Sequence, residues 1–449
     1  MTNMTYKFMH LANYKDIPNW SVKYADEENL GFTNRYPMAR IGSFLVRRKE
    51  AVDIQDGVIY KRVTVSTKGG SITIRDEKDG KLIGTKKQFV IHEGQFLLSK
   101  IDARNGAYGV VPAFADGAII TGNFWTYDVD YGRINPQFLM LVTKTPQFLA
   151  FAEKCSNGTT NRHYLQEDAF LNQQIPLPSI EEQEQILKDY NTHIESAIHK
   201  QRGIKFLAED SKKLIQNKLG IQPRVTKGIE SFLQFIHLKD TFSRWDVFVD
   251  TYAIESKYRI ENLGNFISYI STGTTPPTSH PEYFNGDIKF FTPADLGKDK
   301  YLKKSSRTIT DIAIKDKKAR VYHKGDILFV GIGSTVGKVG IVKDELVSSN
   351  QQITGFTIDS RKINPEYVYY YLLYNRDITT ADQSKTTLPI VNQDKICKIP
   401  IVVPPDKIQN EIVASLDKMY LEGKQIEKEI PLLEKKAFSL FEHIIFDNI

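Results

Sequence analysis

The sequence predicts a mixed α/β (α+β) protein with a pseudo-two-fold internal repeat, in which two duplicated globular domains are separated by two long antiparallel helices in a coiled-coil spacer. Three observations carry this expectation. Short segments recur in the same order about half a chain apart, each copy closes on a proline boundary followed by a heptad pattern, and 449 residues exceed what one hydrophobic core usually serves.

The repeat opens with "IGSFL" at 41–45, answered by "LGNFI" at 263–267. Next come "KIDARNGAYGVV" at 100–111 and "GIGSTVGKVGIV" at 331–342, which align Gly94 with Gly325, Ile101 with Ile332, Gly106 with Gly337 and Gly109 with Gly340. In both copies an apolar run (96–98; 327–330) precedes the glycines and a second run follows them, which predicts a strand, a glycine turn and a strand. "INPQFLMLV" from Ile134 matches "INPEYVYYY" from Ile363, and "NGTTNRHYLQEDAF" from Asn157 parallels "SKTTLPIVNQDKI" from Ser384. Finally "PSIEEQEQIL" from Pro178 matches "PPDKIQNEIV" from Pro404. The boundaries that follow are a first domain over 1–177, a central helical spacer over 178–220, a second domain over 221–403 and a C-terminal helical spacer over 404–449.

Alternating steps of four and three from Ile412 reach Leu416, Met419, Gly423, Ile426, Ile430, Leu433, Ala437, Leu440 and Ile444, a heptad seam. The corresponding steps in the first copy run through Ile186, Tyr190, His193, Ala197, Lys200, Ile204, Leu207, Ser211, Leu214 and Lys218. Two related helices over about 180–219 and 406–444 are each near 60 Å long at 1.5 Å per residue, too long for one small globule to cover, so they are expected to pack on each other. Pro431 interrupts the second pattern, and a kink is expected there, or a break with Pro431 opening a new helix.

The glycines around Lys338 resemble a phosphate loop but do not make one. A Walker loop needs Gly, four residues and Gly-Lys-Ser/Thr, whereas Ile332 occupies the first glycine position and Val339 follows the lysine. Gly331, Gly333 and Gly337 also miss the dinucleotide spacing by one residue. There is no G-x-S-x-G or H-E-x-x-H motif and no Asp/Asn-Pro-Pro-aromatic motif of amino-methyltransferases. The triple "DEKDGK" reads as a solvated turn, and His163 stands alone. Two cysteines, Cys155 and Cys397, without a CxxC or Cys/His cluster argue against a disulfide framework or zinc site and fit a reducing cytoplasm. No apolar run reaches the roughly 18 residues of a membrane span, and the first residues lack the basic and apolar regions of a secretory signal. The chain reads as a binder, with no cofactor or metal of its own and no membrane partner.

A net charge of +6 and a pI near 8.8 lean towards an anionic partner. The basic residues cluster in what reads as loops: Lys61, Arg62, Lys68, Arg75, Lys86 and Lys87 in the first copy, and Lys298, Lys300, Lys303, Lys304 and Arg307 in the second. Lysine and arginine interleaved with Thr, Ser and Asn suit phosphate contacts together with base-edge hydrogen bonds. The candidates for DNA contact are Lys61, Lys68, Lys86, Lys87, Arg104, Thr159, Thr160 and Arg162 in the first copy. In the second they are Thr274, Thr275, Thr278, Lys303, Lys304, Arg307, Lys338, Thr386 and Thr387.

"STGTTPPTSHPEYFNGDIKFFTPADL" (271–296), the glycine segment 325–342 and "IPIVVPPDKIQNEI" (399–412) closely resemble the specificity subunit of type I restriction-modification enzymes. "SKIDARNGAYGVVP" (99–112), "GTTNRHYL" (158–165) and "IPLPSIEEQEQI" (175–186) carry the same resemblance in the first copy. It implies two target recognition domains, each reading half of a split double-stranded DNA site, with the helices as spacer. It also implies a chain inactive alone that recruits two methyltransferase subunits and the restriction/motor subunits, so that S-adenosylmethionine, ATP and magnesium act in those partners. The first domain has "RRKEAVDIQDGVIYKRVTV" where the second has a "GTTPPT" opening, so the two halves are expected to read different sequences. A coiled-coil scaffold without DNA contact and a fused DNA-modifying enzyme are the alternatives.

Overall fold

The computed structural model describes residues 30–67, 71–157, 163–222, 254–380 and 389–446. The chain divides into two compact units, residues 1–199 with 429–449 and residues 200–428.

In the first unit the strands are β1 (Met38–Arg40), β2 (Leu45–Arg48), β3 (Glu50–Asp53), β4 (Ile59–Val65), β5 (Ile72–Asp79), β6 (Lys87–Val90), β7 (Phe96–Ser99), β8 (Tyr108–Val110), β9 (Ile119–Ile120), β10 (Phe124–Val129), β11 (Ser156–Asn157), β12 (Tyr164–Leu165) and β13 (Gln174–Pro176). They form a sheet in the order β2-β10-β7-β8, a second sheet β3-β6-β9-β4-β5, and the pairs β1-β13 and β11-β12. Helices α1 (Pro136–Thr143), α2 (Pro146–Lys154) and α3 (Glu167–Asn172) cover the first sheet, burying Phe138, Phe148 and Phe170 against Phe96, Tyr108 and Tyr127.

The second unit holds β14 (Arg259–Asn262), β15 (Ile267–Thr272), β16 (Phe284–Phe291), β17 (Tyr301–Leu302), β18 (Arg307–Ile309), β19 (Val321–His323), β20 (Ile327–Val330), β21 (Val339–Val342), β22 (Leu346–Ser349), β23 (Ile353–Ile358) and β24 (Pro400–Val403). Its first sheet runs β15-β23-β20-β21-β17, its second β18-β16-β22-β19, and β14 pairs with β24. The first four strands of that first sheet repeat the order found in the first unit, so the duplication is written in topology. The second sheets differ in strand number and order, and the divergent openings feed them.

The glycine segments are hairpin turns, as expected. β7 pairs antiparallel with β8 and β20 with β21, and Gly106 (φ 85°) and Gly337 (φ 89°) occupy the same left-handed position, which glycine adopts without a Cβ clash.

The long helices are α4 (Ile180–Leu219) and α9 (Asp406–Ile445), between which the second unit adds α5 (Asp311–Lys315), α6 (Pro365–Tyr374), α7 (Arg376–Thr379) and α8 (Gln393–Cys397). In the first unit Ile186 and Leu187 near the start of α4 share a core with Phe441 and Ile445 at the end of α9. In the second unit Ile215 and Leu219 at the end of α4 meet Ile412 and Leu416 at the start of α9, and Lys218 Nζ pairs with Glu411 at 2.9 Å. Within each unit the two helices therefore run antiparallel. α9 continues through Pro431, so of the kink or break expected there the break is absent. The helix tolerates the missing N–H because it is anchored by tertiary packing on either side of the proline. The seam residues are withdrawn from solvent apart from Lys218 and Leu440, which are exposed. Near their ends both helices switch to steps of four, through Ser211, Ile215 and Leu219 and through Ala437, Phe441 and Ile445, all buried.

Each helix starts from the same joint. Gln183 and Gln409 are buried, and their amides donate to Pro178 O and Pro404 O at 2.9 Å while their carbonyls accept from the backbone N–H of Asn135 and Asn364 at 2.8 Å. The Asn135 and Asn364 side chains in turn cap α1 and α6. Gln409→Leu leaves the Asn364 N–H orphaned and is expected to cost about 1–3 kcal/mol in thermal unfolding. A change below about 0.5 kcal/mol would show that water replaces the amide.

Candidate nucleic-acid interface

In the second unit the turn over residues 331–338 is held from two sides. Gly331 N and Ile332 N donate to Gln352 O (2.8 and 3.3 Å), while Val391 N donates to Gly331 O (2.8 Å) and Gly333 N to Pro389 O (3.1 Å). A Cβ on Gly331 would lie 2.6 Å from Val391 O, so this approach requires glycine. In the first unit Leu165 N donates to Lys100 O at 2.9 Å, the same contact at the repeat-equivalent position. Thus in both units the chain leaving the Thr-Thr segment is bonded to the base of the glycine turn.

The "GTTPPT" opening crosses the neighbouring turn at 349–352. Gly273 N donates to Ile353 O (2.9 Å), Thr274 N to Ser349 O (3.1 Å), and the Thr275 hydroxyl to Gln351 Oε1 (2.5 Å). A Cβ on Gly273 would fall 2.3 Å from Asn350 O. Beside this turn lies an open hollow of ≈ 430 Å³ lined by Thr292, Arg307, Ile332, Thr335, Asn350 and Gln352 among others. A second hollow of ≈ 520 Å³ has Thr278, Phe284, Asn285, Ser305 and, again, Arg307 in its wall. Among the described residues neither wall contains an aspartate or a glutamate. Asp295, next to Ala294 of the first wall, accepts from Thr292 N (2.8 Å) and Ser306 N (3.0 Å), and Glu282, next to Pro281 of the second, is paired with His280 at 2.8 Å.

Of the residues named from the sequence, Thr275, Thr278 and Arg307 thus meet around one polar surface, with Thr274 exposed beside Thr275. Lys303 and Lys304 are exposed on the loop that precedes β18. Lys338 is half-buried, its stem 3.1 Å from the position a Gly297 Cβ would take. Thr386 and Thr387 lie outside the described residues, as do Lys68, Thr159, Thr160 and Arg162 in the first copy. Sequence reasoning missed Asn350, Gln351, Gln352 and Thr335. The available signal was the uncharged polar run "SSNQQ" between two apolar stretches.

The basic residues of the first copy are not confined to loops. Lys61 and Arg62 are on β4, Arg75 on β5 and Lys87 on β6, because the segments alternate exposed and buried residues with period two. Two of the charges are also met within the sheet region, those of Arg62 and Lys86. Arg62 grips Asp76 through two bonds (2.7 and 2.6 Å), which hold that carboxyl below the usual carboxylate range. Lys86 pairs with Asp56 at 2.8 Å, and Lys61 and Lys87 stand across from Glu77 and Asp53 on neighbouring strands. Arg104 lies in the glycine turn, with its Nε buried and without a hydrogen-bond partner among the described residues. Among the described residues no cluster of His, Cys, Asp or Glu is arranged to hold a metal, and no helix is long and apolar enough to cross a membrane.

Two copies of one α/β module, each with a glycine hairpin bonded to the chain that leaves its Thr-Thr segment and each packed on antiparallel segments of the two long helices, define a repeated modular protein. The chain belongs to the type I restriction modification DNA specificity domain family, whose pattern matches it twice, at residues 26–205 and 255–434. It is 30% identical over 199 residues to the type I restriction enzyme MjaIX specificity subunit of Methanocaldococcus jannaschii, and 29% identical over 112 residues to the EcoDI specificity subunit of Escherichia coli. These matches span 43% and 24% of the two relatives and 42% and 24% of this chain. The fold is similar to a chain in a solved type I restriction-modification system, with a TM-score of 0.53 and 18% identity over 92% of this chain and 98% of that one.

Proposed function

We propose that this chain is the DNA sequence-recognition subunit of a type I restriction-modification complex, with the domains at 1–177 and 221–403 each reading one half of a bipartite target and the helical segments at 178–220 and 404–449 as spacer. The observation that carries the reading is the pattern of conservation between the copies within the fold. The first sheet, the glycine hairpin and the Gln183/Gln409 joint are repeated, whereas the second sheets and the residues beside them differ. A shared frame with two different surfaces suits two different half-sites.

The chain is non-catalytic in this reading. It recruits two methyltransferase subunits and restriction/motor subunits, in the cytoplasm, and S-adenosylmethionine, ATP and magnesium serve those partners. Its own residues supply phosphate contacts from lysine and base-edge contacts from arginine and amides.

Duplex binding by the assembled complex is expected to weaken linearly on a log-log plot against salt, because phosphate contacts release counterions. Lys303→Ala with Lys304→Ala is expected to make that slope shallower by about one unit per contact with sequence preference unchanged. Exchanging residues 230–400 for the matching domain of a relative is expected to alter one half of the modified motif and leave the other intact. Salt-independent binding, or an exchange that changes both halves or neither, would favour a scaffold without DNA contact.

A further inference from the structure

We propose that Arg307 and the amide turn at 349–352 form the base-reading centre of the second domain, with Arg307 addressing a guanine edge and Gln351 an adenine edge, while Lys303 and Lys304 serve phosphates. This rests on the DNA-recognition reading and deepens it by separating readers from positioners.

Three features point to direct readout. The first is rigidity. The turn is fixed through its backbone: Ser349 O, Asn350 O and Gln352 O accept from Thr274 N, Ile353 N and Gly331 N, and Asn350 N donates to Phe291 O at 3.2 Å. Beneath it Ser348 and Ser349 are fully buried, with the Ser349 hydroxyl 3.4 Å from the Tyr322 hydroxyl. Since the backbone bonds do not use the amide of Gln351, that exposed side chain, bonded to the Thr275 hydroxyl through Oε1 alone, can meet a ligand from a fixed base. A preorganised reader loses little entropy on binding.

The second feature is chemistry. Adenine presents an acceptor and a donor in the major groove, matched by one amide, and guanine presents two acceptors, matched by one guanidinium. Gln351 carries both halves of an amide. The Thr275 hydroxyl donates to its Oε1, which orients the group and leaves its second lone pair and both N–H donors available. Arg307 has no ion-pair partner among the described residues, in contrast to Arg62 and its Asp76. An arginine without an ion-pair partner, in walls whose other polar residues are the uncharged Thr, Ser, Asn and Gln, is placed to meet an anionic, hydrogen-bonding polymer.

The third feature is shape. Arg307 is common to the two adjoining hollows, and among the described residues neither wall includes a carboxylate, which limits the charge repulsion met by an entering groove edge. In the second of them Asn285 sits at φ 62°, a left-handed conformation that asparagine tolerates better than most residues, where β16 shifts register. Lys303 and Lys304 stand exposed outside both walls on long flexible stems, which suits a point charge that follows a phosphate.

The test is selection from a duplex library randomised over the target, using the full chain together with the subunits that co-purify with it. The proteins compared are wild type, Arg307→Ala, Arg307→Lys, Gln351→Ala and the Lys303→Ala/Lys304→Ala pair. Arg307→Ala is expected to lose preference at one guanine position and Gln351→Ala at one adenine position, each with a roughly 10- to 100-fold fall for the wild-type site and no change in the other half-site. The lysine pair is expected to bind all sequences more weakly with the same preferences. If Arg307→Ala is poorly folded, Arg307→Lys and the exposed Gln351→Ala carry the test. Retention of the wild-type preference at every position by both Arg307→Lys and Gln351→Ala overturns the assignment while leaving the recognition function standing. A wild-type complex that enriches no sequence refutes the function itself.

Discussion

Lys300→Met is expected to destabilise the second unit by about 3 kcal/mol, read as a lower midpoint in urea with an unchanged slope. Lys300 is 3% exposed, and its ammonium lies 2.5 Å from Asp417 on α9 and 3.4 Å from Glu366 on α6. It also sits over the rings of Tyr370 (4.8 Å) and Tyr301 (5.4 Å). The Tyr370 hydroxyl donates to Asp417 and the Tyr301 hydroxyl to Glu366, and burial pushes both phenols well above their ordinary pKa. Removing the cation leaves two carboxylates facing each other with only tyrosine donors. Because each carboxylate is about a third exposed, water screens part of the loss, which places the estimate at the lower end of the usual range for breaking a buried pair. Replacing the acids as well, in Lys300→Met/Glu366→Gln/Asp417→Asn, is expected to recover most of the stability. The first unit runs on that neutral arrangement already, since the equivalent residues Gln137 and Asn191 are hydrogen-bonded at 2.9 Å. A triple variant less stable than the single one would refute this explanation.

Phe441→Ala is expected to cost about 3–5 kcal/mol, whereas Leu440→Ala, one residue earlier, should cost less than about 1 kcal/mol. The heptad reading of the sequence assigns the opposite roles, because Leu440 is on the seam and Phe441 is not. In the structure Phe441 is 1% exposed and packs edge-on against Phe138 with ring centres 5.6 Å apart, while Leu440 is 38% exposed. A straight α-helix drifts about 20° per heptad from a strict seven-residue repeat, so after several heptads the buried stripe advances by one position. Denaturation of both variants decides the matter. A larger loss from Leu440→Ala would mean that the coiled-coil register persists to the end of α9.

The same drift shows where sequence reasoning held and where it stopped. The bounds of both long helices were legible, since apolar periodicity and proline boundaries are local signals, and in the structure Ser179 and Glu182 add a reciprocal cap to the first of them. The glycine hairpins were legible because Gly106 and Gly337 need a backbone conformation that other residues avoid. The second sheets were not. Their pairings join distant strands, such as β16 with β22 in parallel, and no local pattern announces a partner far along the chain. Lys300 was grouped with the exposed lysines because nothing in "GKDKYLKK" marks which of them meets Asp417 on the other side of the domain. At the candidate interface charge drew the eye to Arg307, but Gln351 and its neighbours carry no charge and follow no spacing rule, so only the fold reveals them.

The turn at 349–352 also bears on how such a protein changes over generations. Its hold on the domain depends on main-chain groups and on the glycines opposite, Gly273 and Gly331, where any side chain would collide with backbone carbonyls. The exposed side chain of Gln351 and the guanidinium of Arg307 contribute little to that hold. Mutations at these two positions are therefore close to neutral for folding and can accumulate under selection for new targets, while the two glycines are expected to stay fixed. A lineage that must keep altering its preferred sequence gains from this separation, because drift in the reader does not erode the frame that presents it.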